Sequence, residues 1–442
     1  MKRETAVSLL IVIWGIVLFF GVIWDHRRLL RAIRARSSLL PSPRRYPSVT
    51  VIRPVRGLDA QAAENIAAAL DTGYPGPVET IFVFDDDSEP ALPLVQQAIE
   101  AHEAAGRAGR ARILIAGAPP PERTGKLNAM IAGLAQASGE LLAFGDSDTR
   151  PDAQVLRRVV EKLLASPDAG AAFAPVTIVE APRTVGDVGA ALMINGLYGG
   201  AVADTVQRTG EMPFIMGQLM VLRREALSAL GNLQSLSGHL VDDMQIGVKL
   251  RAAGYRNVVA PHPLPIVVRD LKLGDFVRMF RRWLIFSRSG LPVGSFKGRV
   301  WLRGFEFWAG LMVAVLAWLA GHAVPALLVT AVPLAVGWSI VRLHRELGGA
   351  AIGWHHAWVP IAILLAGPLA LLSALLWPQV SWRGRSYRLD ARSRLAAKRT
   401  VSDPGVGAIG AGRRRSVPVP VKPAQGGHWL STRATGPSRL RR

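Results

Sequence analysis

The sequence predicts an α/β fold in which a mostly parallel sheet carries helices on both faces. Strand-like and helix-like segments alternate from residue 48 to residue 270, and this order is typical of parallel strands joined by helical crossovers. Long apolar stretches at both ends of the chain add an N-terminal transmembrane helix and a C-terminal helical membrane region. With 442 residues, the chain is long enough to contain all of these parts.

These signals divide the chain into six parts. We predict a transmembrane anchor, a basic juxtamembrane linker, an α/β domain, an interfacial helix rich in Arg and Trp, a region of transmembrane or re-entrant helices, and a basic, largely disordered tail. In that order they cover residues 1–26, 27–47, 48–270, 271–300, 301–378 and 379–442.

The first apolar stretch, Ala6 to Trp24, is long enough to span a bilayer. A cleaved signal peptide would have a shorter apolar part with its positive charge in front, whereas here the arginines follow the stretch, from Arg27 to Arg36. Because Lys and Arg favour the cytosolic side of a membrane, we predict an uncleaved anchor with its amino end outside and the α/β domain in the cytosol.

Within the α/β domain, β-branched and apolar runs predict strands and amphipathic spacing predicts helices. The predicted strands are residues 49–52, 78–84, 112–115, 141–144, 173–179 and 214–222. The predicted helices are residues 61–70, 92–105, 126–137, 153–165 and 241–253. Pro175 favours an edge position for its strand. Residues 185–206 are glycine-rich and weakly amphipathic, which is compatible with a helix in the membrane interface.

Acidic residues follow two of these strands directly. Asp85 to Asp87 follow the second predicted strand, and Asp146 and Asp148 follow the fourth. The carboxyl ends of parallel strands meet at one rim of a sheet, which is where such sheets bind ligands. An Asp-x-Asp at that rim offers hard oxygen ligands to a divalent cation, which keeps its other positions for phosphate oxygens. A lone Asp-x-Asp is more often a solvated turn, but two acidic clusters at one rim favour a binding site.

The last third of the chain is predicted to meet the membrane. Residues 273–289 mix large apolar and basic side chains, which is typical of a helix at the headgroup boundary. Three apolar spans follow, and three crossings would leave the basic tail outside, against the positive-inside tendency. Either the last span, 357–377, is a re-entrant or interfacial pair broken at Gly367-Pro368, or an earlier span does not cross. We favour a cytosolic tail whose later part is disordered.

Composition narrows the class of protein. The formal net charge of +21 is concentrated beside the apolar spans, which indicates a membrane surface as partner, and no nucleic-acid-binding motif accompanies it. The mean hydropathy of +0.25 is high for a soluble enzyme. The chain contains no cysteine, which excludes disulfide and thiolate chemistry.

Eight short motifs, in this order and spacing, resemble those of family-2-type inverting glycosyltransferases with a GT-A fold. They are more similar still to the ceramide glucosyltransferase group (family 21), which includes bacterial and hopanoid-associated enzymes. The motifs are RPVRGLD (53–59), FDDDSEP (84–90), GKLNAM (125–130), FGDSDTRPD (144–152), MGQLMVLRREAL (216–227), VDD (241–243), RMFRRW (278–283) and WRGRSYR (382–388).

The resemblance implies roles for residues that bind a nucleotide sugar and a metal. Asp86 matches the family's first acid, which contacts the uracil and ribose of a UDP-sugar, and Lys126 and Asn128 fall in the segment that faces the donor. A Lys there gives a point charge to a pyrophosphate. Asp146 matches the second acid, and Asp148 completes the Asp-x-Asp that would hold Mg²⁺ or Mn²⁺.

The resemblance also implies a base and an acceptor wall. Asp243, with Asp242 beside it, matches the general base that takes the proton of the acceptor hydroxyl. The family's (Q/R)xxRW motif keeps Arg282 and Trp283 here, where a guanidinium near the diphosphate and an indole beside the acceptor are implied.

The chain departs from this motif at Met279, where the family has Gln or Arg. Arg278 and Arg281 lie on either side of it, and the sequence does not decide which arginine reaches the phosphate.

The activity that this resemblance implies is a membrane-bound, metal-dependent transfer of one hexose from a UDP-sugar to a lipid hydroxyl, such as that of ceramide or a hopanoid, at the inner membrane. A processive polysaccharide synthase shares the acidic set, but it needs more membrane helices and a full motif. A scaffold with a degenerate fold would not need to retain every acid. The sequence leaves the sugar and the lipid open.

Overall fold

A computed structural model describes residues 2–35, 40–288, 296–390 and 394–395. A mixed sheet of seven strands forms the centre of the α/β part, with the strand order β3-β2-β1-β4-β7-β5-β8. These strands are β1 Val49–Pro54, β2 Val78–Phe84, β3 Arg110–Ile115, β4 Leu141–Gly145, β5 Ala169–Phe173, β7 Leu219–Arg223 and β8 Arg256–Val259. Among them only β7 runs antiparallel to its neighbours, β4 and β5. The predicted mostly parallel α/β sheet is therefore confirmed.

Two short pairs of strands lie outside this sheet. β6 and β9 pair in parallel, and β10 and β11 form an antiparallel hairpin. Their bounds are β6 Val176–Thr177, β9 Leu264–Pro265, β10 Gln379–Trp382 and β11 Arg385–Arg388.

Fourteen α-helices lie within the described residues. They are α1 Lys2–Arg34, α2 Ala62–Leu70, α3 Leu92–Ala104, α4 Gly125–Ala135, α5 Val155–Leu164, α6 Val185–Ala191, α7 Gly200–Thr209, α8 Arg224–Ala229, α9 Asp242–Ala252, α10 Leu273–Arg288, α11 Phe296–Leu319, α12 Ala323–Val329, α13 Ala331–Glu346 and α14 Val359–Leu376. A π-helical segment, Leu192–Gly199, joins α6 to α7, and we call Val185–Thr209 as a whole the central helix.

The sheet register brings the two acidic clusters to one rim. β1 pairs in parallel with β2 on one side and with β4 on the other, so β2 and β4 end on either side of the end of β1. Both faces of the sheet are covered. On β4, for example, Leu142 and Phe144 pack towards the central helix, whereas Leu141 and Ala143 pack with α5.

Within the described residues, five helices are long and apolar enough to cross a membrane: Glu4–Arg34, Val185–Thr209, Trp301–Leu319, Ala323–Glu346 and Trp354–Leu376. The central helix differs from the other four because 94% of its most apolar 18-residue stretch is buried inside the protein. The expectation that residues 185–206 lie in the membrane interface is therefore wrong, since this helix lies between the sheet and the membrane helices.

The structure corrects several other boundaries. The strand predicted at 173–179 is instead β5, which ends at Phe173, and the short β6. Pro175, which has no N–H to donate, separates the two. Of the predicted strand 214–222 only Leu219 to Leu222 is extended in the sheet, because the segment before it lines a cavity.

Helix α1 continues to Arg34, so the first part of the predicted linker is helical. Residues 379–388, at the start of the predicted tail, form a hairpin. Four stretches that the predicted boundaries covered lie outside the described residues, namely 36–39, 289–295, 391–393 and 396–442.

Candidate active site

The acidic residues of three separate motifs converge on one cavity of about 230 Å³. Asp85 at the end of β2, Asp146 and Asp148 after β4, and Asp242 and Asp243 at the start of α9 all line it. The two acidic clusters that the order of the strands placed at one rim thus share a cavity through Asp85, Asp146 and Asp148, and Asp242 and Asp243 join them.

Lys126 lies among these carboxylates. Thr124 caps α4 by accepting a hydrogen bond from the Leu127 N–H, and this cap fixes the turn that carries Lys126. The Lys126 ammonium pairs with Asp146 at 2.7 Å. Burial works against its charge, but Asp146, Asp242 and Asp243 raise its pKa above the ordinary value, so the ammonium stays protonated.

Two carboxylate oxygens in this cluster have no protein partner. Within the part of the chain that the structure describes, Oδ1 of Asp148 and Oδ2 of Asp242 are buried and accept no hydrogen bond. Burial, together with the charge of Asp146, raises the pKa of Asp148 to about 6. A buried carboxylate oxygen without a donor is a position that a cation would satisfy.

A divalent cation fits the donor set at Asp146 and Asp148. Their carboxylates are hard oxygen ligands two residues apart, and one of them offers the unpartnered Oδ1. No group of three or more His, Cys, Asp or Glu among the described residues is arranged to hold a metal alone. The remaining ligands of such a cation would therefore come from a bound phosphate or from water.

Asp243 is held in a fixed orientation by the backbone. Its Oδ2 accepts the Gly217 N–H at 2.7 Å, and its Oδ1 accepts the Met244 N–H at 2.8 Å. Burial and the neighbouring Asp242 raise its pKa to about 7, although Lys126 opposes this shift. A carboxylate with this pKa is suited to accept a proton near neutral pH.

The Arg/Trp helix α10 contributes Arg282 and Trp283 to the cavity, and Met279 lines it one turn earlier. The other two arginines face away. Arg278 pairs with Asp275 on the exposed side of the helix. Arg281 donates hydrogen bonds to Ser373 Oγ at 2.9 Å and to the carbonyl of Gln379 at 2.7 Å, which ties α10 to the end of α14. Of the three candidates, Arg282 is thus the one that faces the acids.

Two predicted binding residues lie outside the cavity. Asp86 is exposed and accepts hydrogen bonds from Ser88, and it is the preceding residue, Asp85, that lines the cavity. Asn128 donates to the carbonyl of Gly117 at 3.3 Å and does not line the cavity.

Sequence reasoning assigned no role to three arginines that complete the site. Arg56 pairs with Asp85, Arg385 pairs with Asp85 at 3.1 Å, and Arg383 pairs with Asp59 at 2.5 Å. Nη1 of Arg385 is buried and, within the described residues, has no hydrogen-bond acceptor. The signal was present in the motifs RPVRGLD and WRGRSYR, but only the fold brings the β10–β11 hairpin over the acids.

One wall of the cavity is apolar. Trp283 packs on Tyr198 of the central helix with ring centroids 5.3 Å apart. The wall continues through residues from α10, from the central helix and from the loops beside β6, β7 and β9: Ile178, Ile194, Phe214, Ile215, Ile266, Val268, Met279 and Phe286. The cavity therefore combines a charged floor, to which Asp243 belongs, with an apolar wall.

The chain is similar to known glycosyltransferases. The family described as Glycosyl transferase family 21 matches residues 7–395. Ceramide glucosyltransferase 3 of Caenorhabditis elegans is 22% identical over 306 residues, which cover 66% of this chain and 62% of that protein. An N-acetylglucosaminyltransferase of Rhizobium meliloti is 26% identical over 250 residues, which cover 54% of this chain and 55% of that protein. The chain thus spans less than two thirds of the length of these relatives.

Among solved structures, the mannosyltransferase PcManGT from Pyrobaculum calidifontis, in complex with GDP-Man and Mn2+, is 21% identical. The match covers 83% of this chain and 99% of that chain, with a TM-score of 0.49. At this level the likeness supports no statement about the ligands of this chain.

Proposed function

This chain belongs to glycosyl transferase family 21, and from that premise we propose that it transfers one hexose from a UDP-sugar to the hydroxyl group of a membrane lipid. The observation that carries the proposal is the cavity, which Asp243 lines together with other charged residues and with an apolar wall. A nucleoside diphosphate suits the floor, and the apolar chain of a lipid suits the wall.

In this proposal the donor diphosphate lies among Lys126, Arg282 and Arg385. Lys126 is a fixed positive charge beside Asp146. Arg385 has a buried N–H that finds no acceptor in the described part of the chain, and a phosphate oxygen would satisfy it. Asp85, which pairs with Arg385 of the hairpin, replaces Asp86 as the residue proposed to contact the nucleoside.

Asp243 is the proposed base. As the acceptor oxygen forms its bond to the anomeric carbon, the bond from that carbon to the diphosphate oxygen breaks and its electron pair leaves with UDP. The hydroxyl proton passes to the Asp243 carboxylate, which the Gly217 and Met244 N–H groups hold in place. Attack from the face opposite UDP inverts the anomeric carbon, so the product is a β-glycoside.

A divalent cation, Mg²⁺ or Mn²⁺, would be held by Asp146 and Asp148. When bound there, it would neutralise charge on the departing diphosphate. The unpartnered Oδ1 of Asp148 is the observation that supports it.

The proposed acceptors are ceramide or a hopanoid polyol, since both carry a hydroxyl on an apolar body that suits the wall at Trp283. The names of the relatives suggest glucose and N-acetylglucosamine as sugars to test. We place the protein in the inner membrane with its cavity on the cytosolic side, because the arginines beside the anchor favour that side.

The test is a transfer assay with the full chain in lipid nanodiscs. UDP-glucose and UDP-N-acetylglucosamine are each offered with ceramide or a hopanoid polyol, with a divalent cation or with a chelator, and products are identified by mass spectrometry. We expect one hexose per lipid, in the β configuration, and only when the cation is present.

The matched variants are Asp243→Asn and Asp168→Asn. The first should lower the transfer rate about 10²- to 10⁴-fold, because the base is lost. The second removes an exposed carboxylate that pairs with Arg256 and should leave the rate unchanged. Undiminished transfer by Asp243→Asn, or transfer to no lipid by the natural chain, would refute the proposal.

A further inference from the structure

The helices long enough to cross a membrane do not all run in the same direction. Three of them, α1, α11 and the α12–α13 pair, form a bundle. Ser8 of α1 lies 2.8 Å from His322, His26 lies 2.9 Å from Ser339, and Arg34 pairs with Glu346 at 2.6 Å. Helices α1 and α12–α13 therefore run parallel, and the turn before His322 lies at the end of the bundle far from the sheet.

Helix α11 runs in the opposite direction to these two. Near its start, Arg303 pairs with Asp25 of α1 at 3.1 Å. Asp25 lies in the last third of α1, towards the end that leads into the sheet. Its last residue, Leu319, precedes the far turn. We call the end of the bundle next to the sheet the near end and the opposite end the far end. Three helical segments of the bundle thus run between these two ends.

Helix α14 differs because the chain is at the near end in the loop before it and is again at the near end after it. In the loop that leads into it, the carbonyl of Leu347 accepts a hydrogen bond from Thr177 Oγ1 of β6 at 3.0 Å. At its other end, Arg281 of α10 donates to Ser373 and Gln379. The hairpin that follows reaches the cavity, where Arg385 pairs with Asp85. A helix that crossed the membrane could not deliver this hairpin to the same side as the loop before it.

The free face of α14 is nevertheless apolar. Its exposed side chains include Leu365, Leu369, Leu372 and Leu376, of which Leu369 is 72% exposed. In the first half of the helix, Trp308 Nε1 donates to the carbonyl of Leu364 at 3.0 Å, which places α14 against α11, whose exposed side chains are also largely apolar. Exposing such an apolar surface to water is unfavourable, whereas contact with the acyl chains of one leaflet would bury it.

We propose that α14 enters and leaves the same leaflet, the one next to the sheet, with its leucine face against lipid acyl chains, while α1, α11 and α12–α13 cross. This arrangement places the end of the described chain on the same side as the cavity, and it decides between the two topologies that the sequence left open. The last apolar span is re-entrant, but it is one unbroken helix and not a pair broken at Gly367-Pro368. The inference depends on geometry alone and stands apart from the proposed reaction.

The natural absence of cysteine makes the test direct, since each single-cysteine variant of the full chain carries one reporter. The variants are Ala104→Cys on α3 as the reference, Ala320→Cys at the far turn, and Trp354→Cys and Gln379→Cys on either side of α14. They are labelled with a membrane-impermeant maleimide in right-side-out and in inside-out vesicles.

We expect Trp354→Cys and Gln379→Cys to be labelled from the same side as Ala104→Cys, and Ala320→Cys from the opposite side. Labelling of Trp354→Cys and Gln379→Cys from opposite sides would overturn the proposal, as would labelling of Ala320→Cys from the reference side. Neither result depends on catalytic activity.

A spin label at Leu369→Cys tests the lipid contact itself, and one at Ala104→Cys serves as the aqueous control. We expect the Leu369 label to be relaxed more by oxygen, which concentrates in acyl chains, than by a water-soluble nickel complex. A stronger effect of the nickel complex at Leu369 would show that this face lies in water and would refute the lipid assignment.

Discussion

At the scale of single residues, the acidity of Asp243 sets the conditions under which the proposed base works. Because burial and Asp242 raise the pKa of Asp243 to about 7, its carboxylate is protonated below that pH and cannot accept a proton. We therefore expect kcat/KM to fall about tenfold per pH unit below about 7 and to level off above it. Transfer rates at limiting donor, measured from pH 5 to 9, check this.

The variant Asp242→Asn gives the matched comparison for this pH dependence. It removes the neighbouring negative charge that raises the pKa of Asp243. In this variant the fall of kcat/KM at acidic pH, the acidic limb of the profile, should therefore begin at a lower pH, whatever happens to the maximal rate. A limb that stays at the same pH in Asp242→Asn would mean that another group controls it.

Arg385 should act on donor binding more than on the chemical step. Its unpartnered Nη1 faces the cavity, and a hydrogen bond to a charged phosphate oxygen is worth about 1.5–3 kcal/mol. Arg385→Ala should therefore weaken UDP binding by about 10- to 150-fold, as measured by calorimetry on the full chain. Arg388→Ala, which removes an exposed arginine of the same hairpin, should leave UDP affinity unchanged, and equal losses in both variants would contradict a specific contact.

Sequence reasoning found the acids of the site more readily than its cations. Asp146 and Asp148 follow a strand that can be predicted, so their place at the rim could be anticipated, whereas the role of Asp242 and Asp243 was implied only by the family resemblance. Whether Asp85 or Asp86 faces the cavity depends on where β2 ends, and hydrogen bonds from Ser88 hold Asp86 outside. The hairpin arginines could not be placed, because nothing local to residues 379–388 indicates that α14 returns them to the sheet.

At the scale of elements, the central helix joins the sheet to the membrane bundle, and Asn195 is its main polar tie. Asn195 accepts the Ile178 N–H at 3.0 Å and donates to the Ile178 carbonyl at 2.8 Å, beside β6. Asn195→Ala would leave both backbone groups buried and unpaired, at a cost of about 1–3 kcal/mol for each. We expect Asn195→Ala to have a clearly lower unfolding temperature in detergent than the natural chain. Gln207→Ala, which removes an exposed amide from the same helix, should leave the unfolding temperature unchanged. An unchanged melting temperature in Asn195→Ala would mean that this tie contributes little.

The central helix also shows where hydropathy alone misleads. Its glycines weaken the apolar signal of residues 185–206, but they let neighbouring backbones approach. A Cβ at Gly196 would lie 2.8 Å from the carbonyl oxygen of Ile340 on α13.

The strands β1, β2 and β4 could be predicted because their branched and aromatic residues are buried in register. Strand β5 was misplaced, because Ala169 to Ala172 carry only the weak β-propensity of Ala and Gly.

At the scale of the whole molecule, the compact unit formed by residues 1–397 contains every residue of the candidate site. The family match ends at residue 395, and the Leu395 N–H donates to the carbonyl of Gly238 at 2.8 Å, in the segment before α9. A chain that ends at Ala397 should therefore keep its transfer rate within about twofold, because it retains every residue that lines the cavity in the described part of the chain.

A chain that ends at Pro378 provides the contrast, since it retains α14 but lacks the hairpin with Arg383 and Arg385. Donor binding would then lose two cations that lie opposite Asp59 and Asp85, and we expect UDP affinity to fall by at least the amount lost in Arg385→Ala. Both truncated chains and the full chain are compared in nanodiscs by calorimetry with UDP and by the transfer assay. If the chain ending at Ala397 lost activity while still binding UDP, residues beyond 397 would have to act in a later step than donor binding. If the chain ending at Pro378 bound UDP as tightly as the full chain, the hairpin would have no part in the donor site.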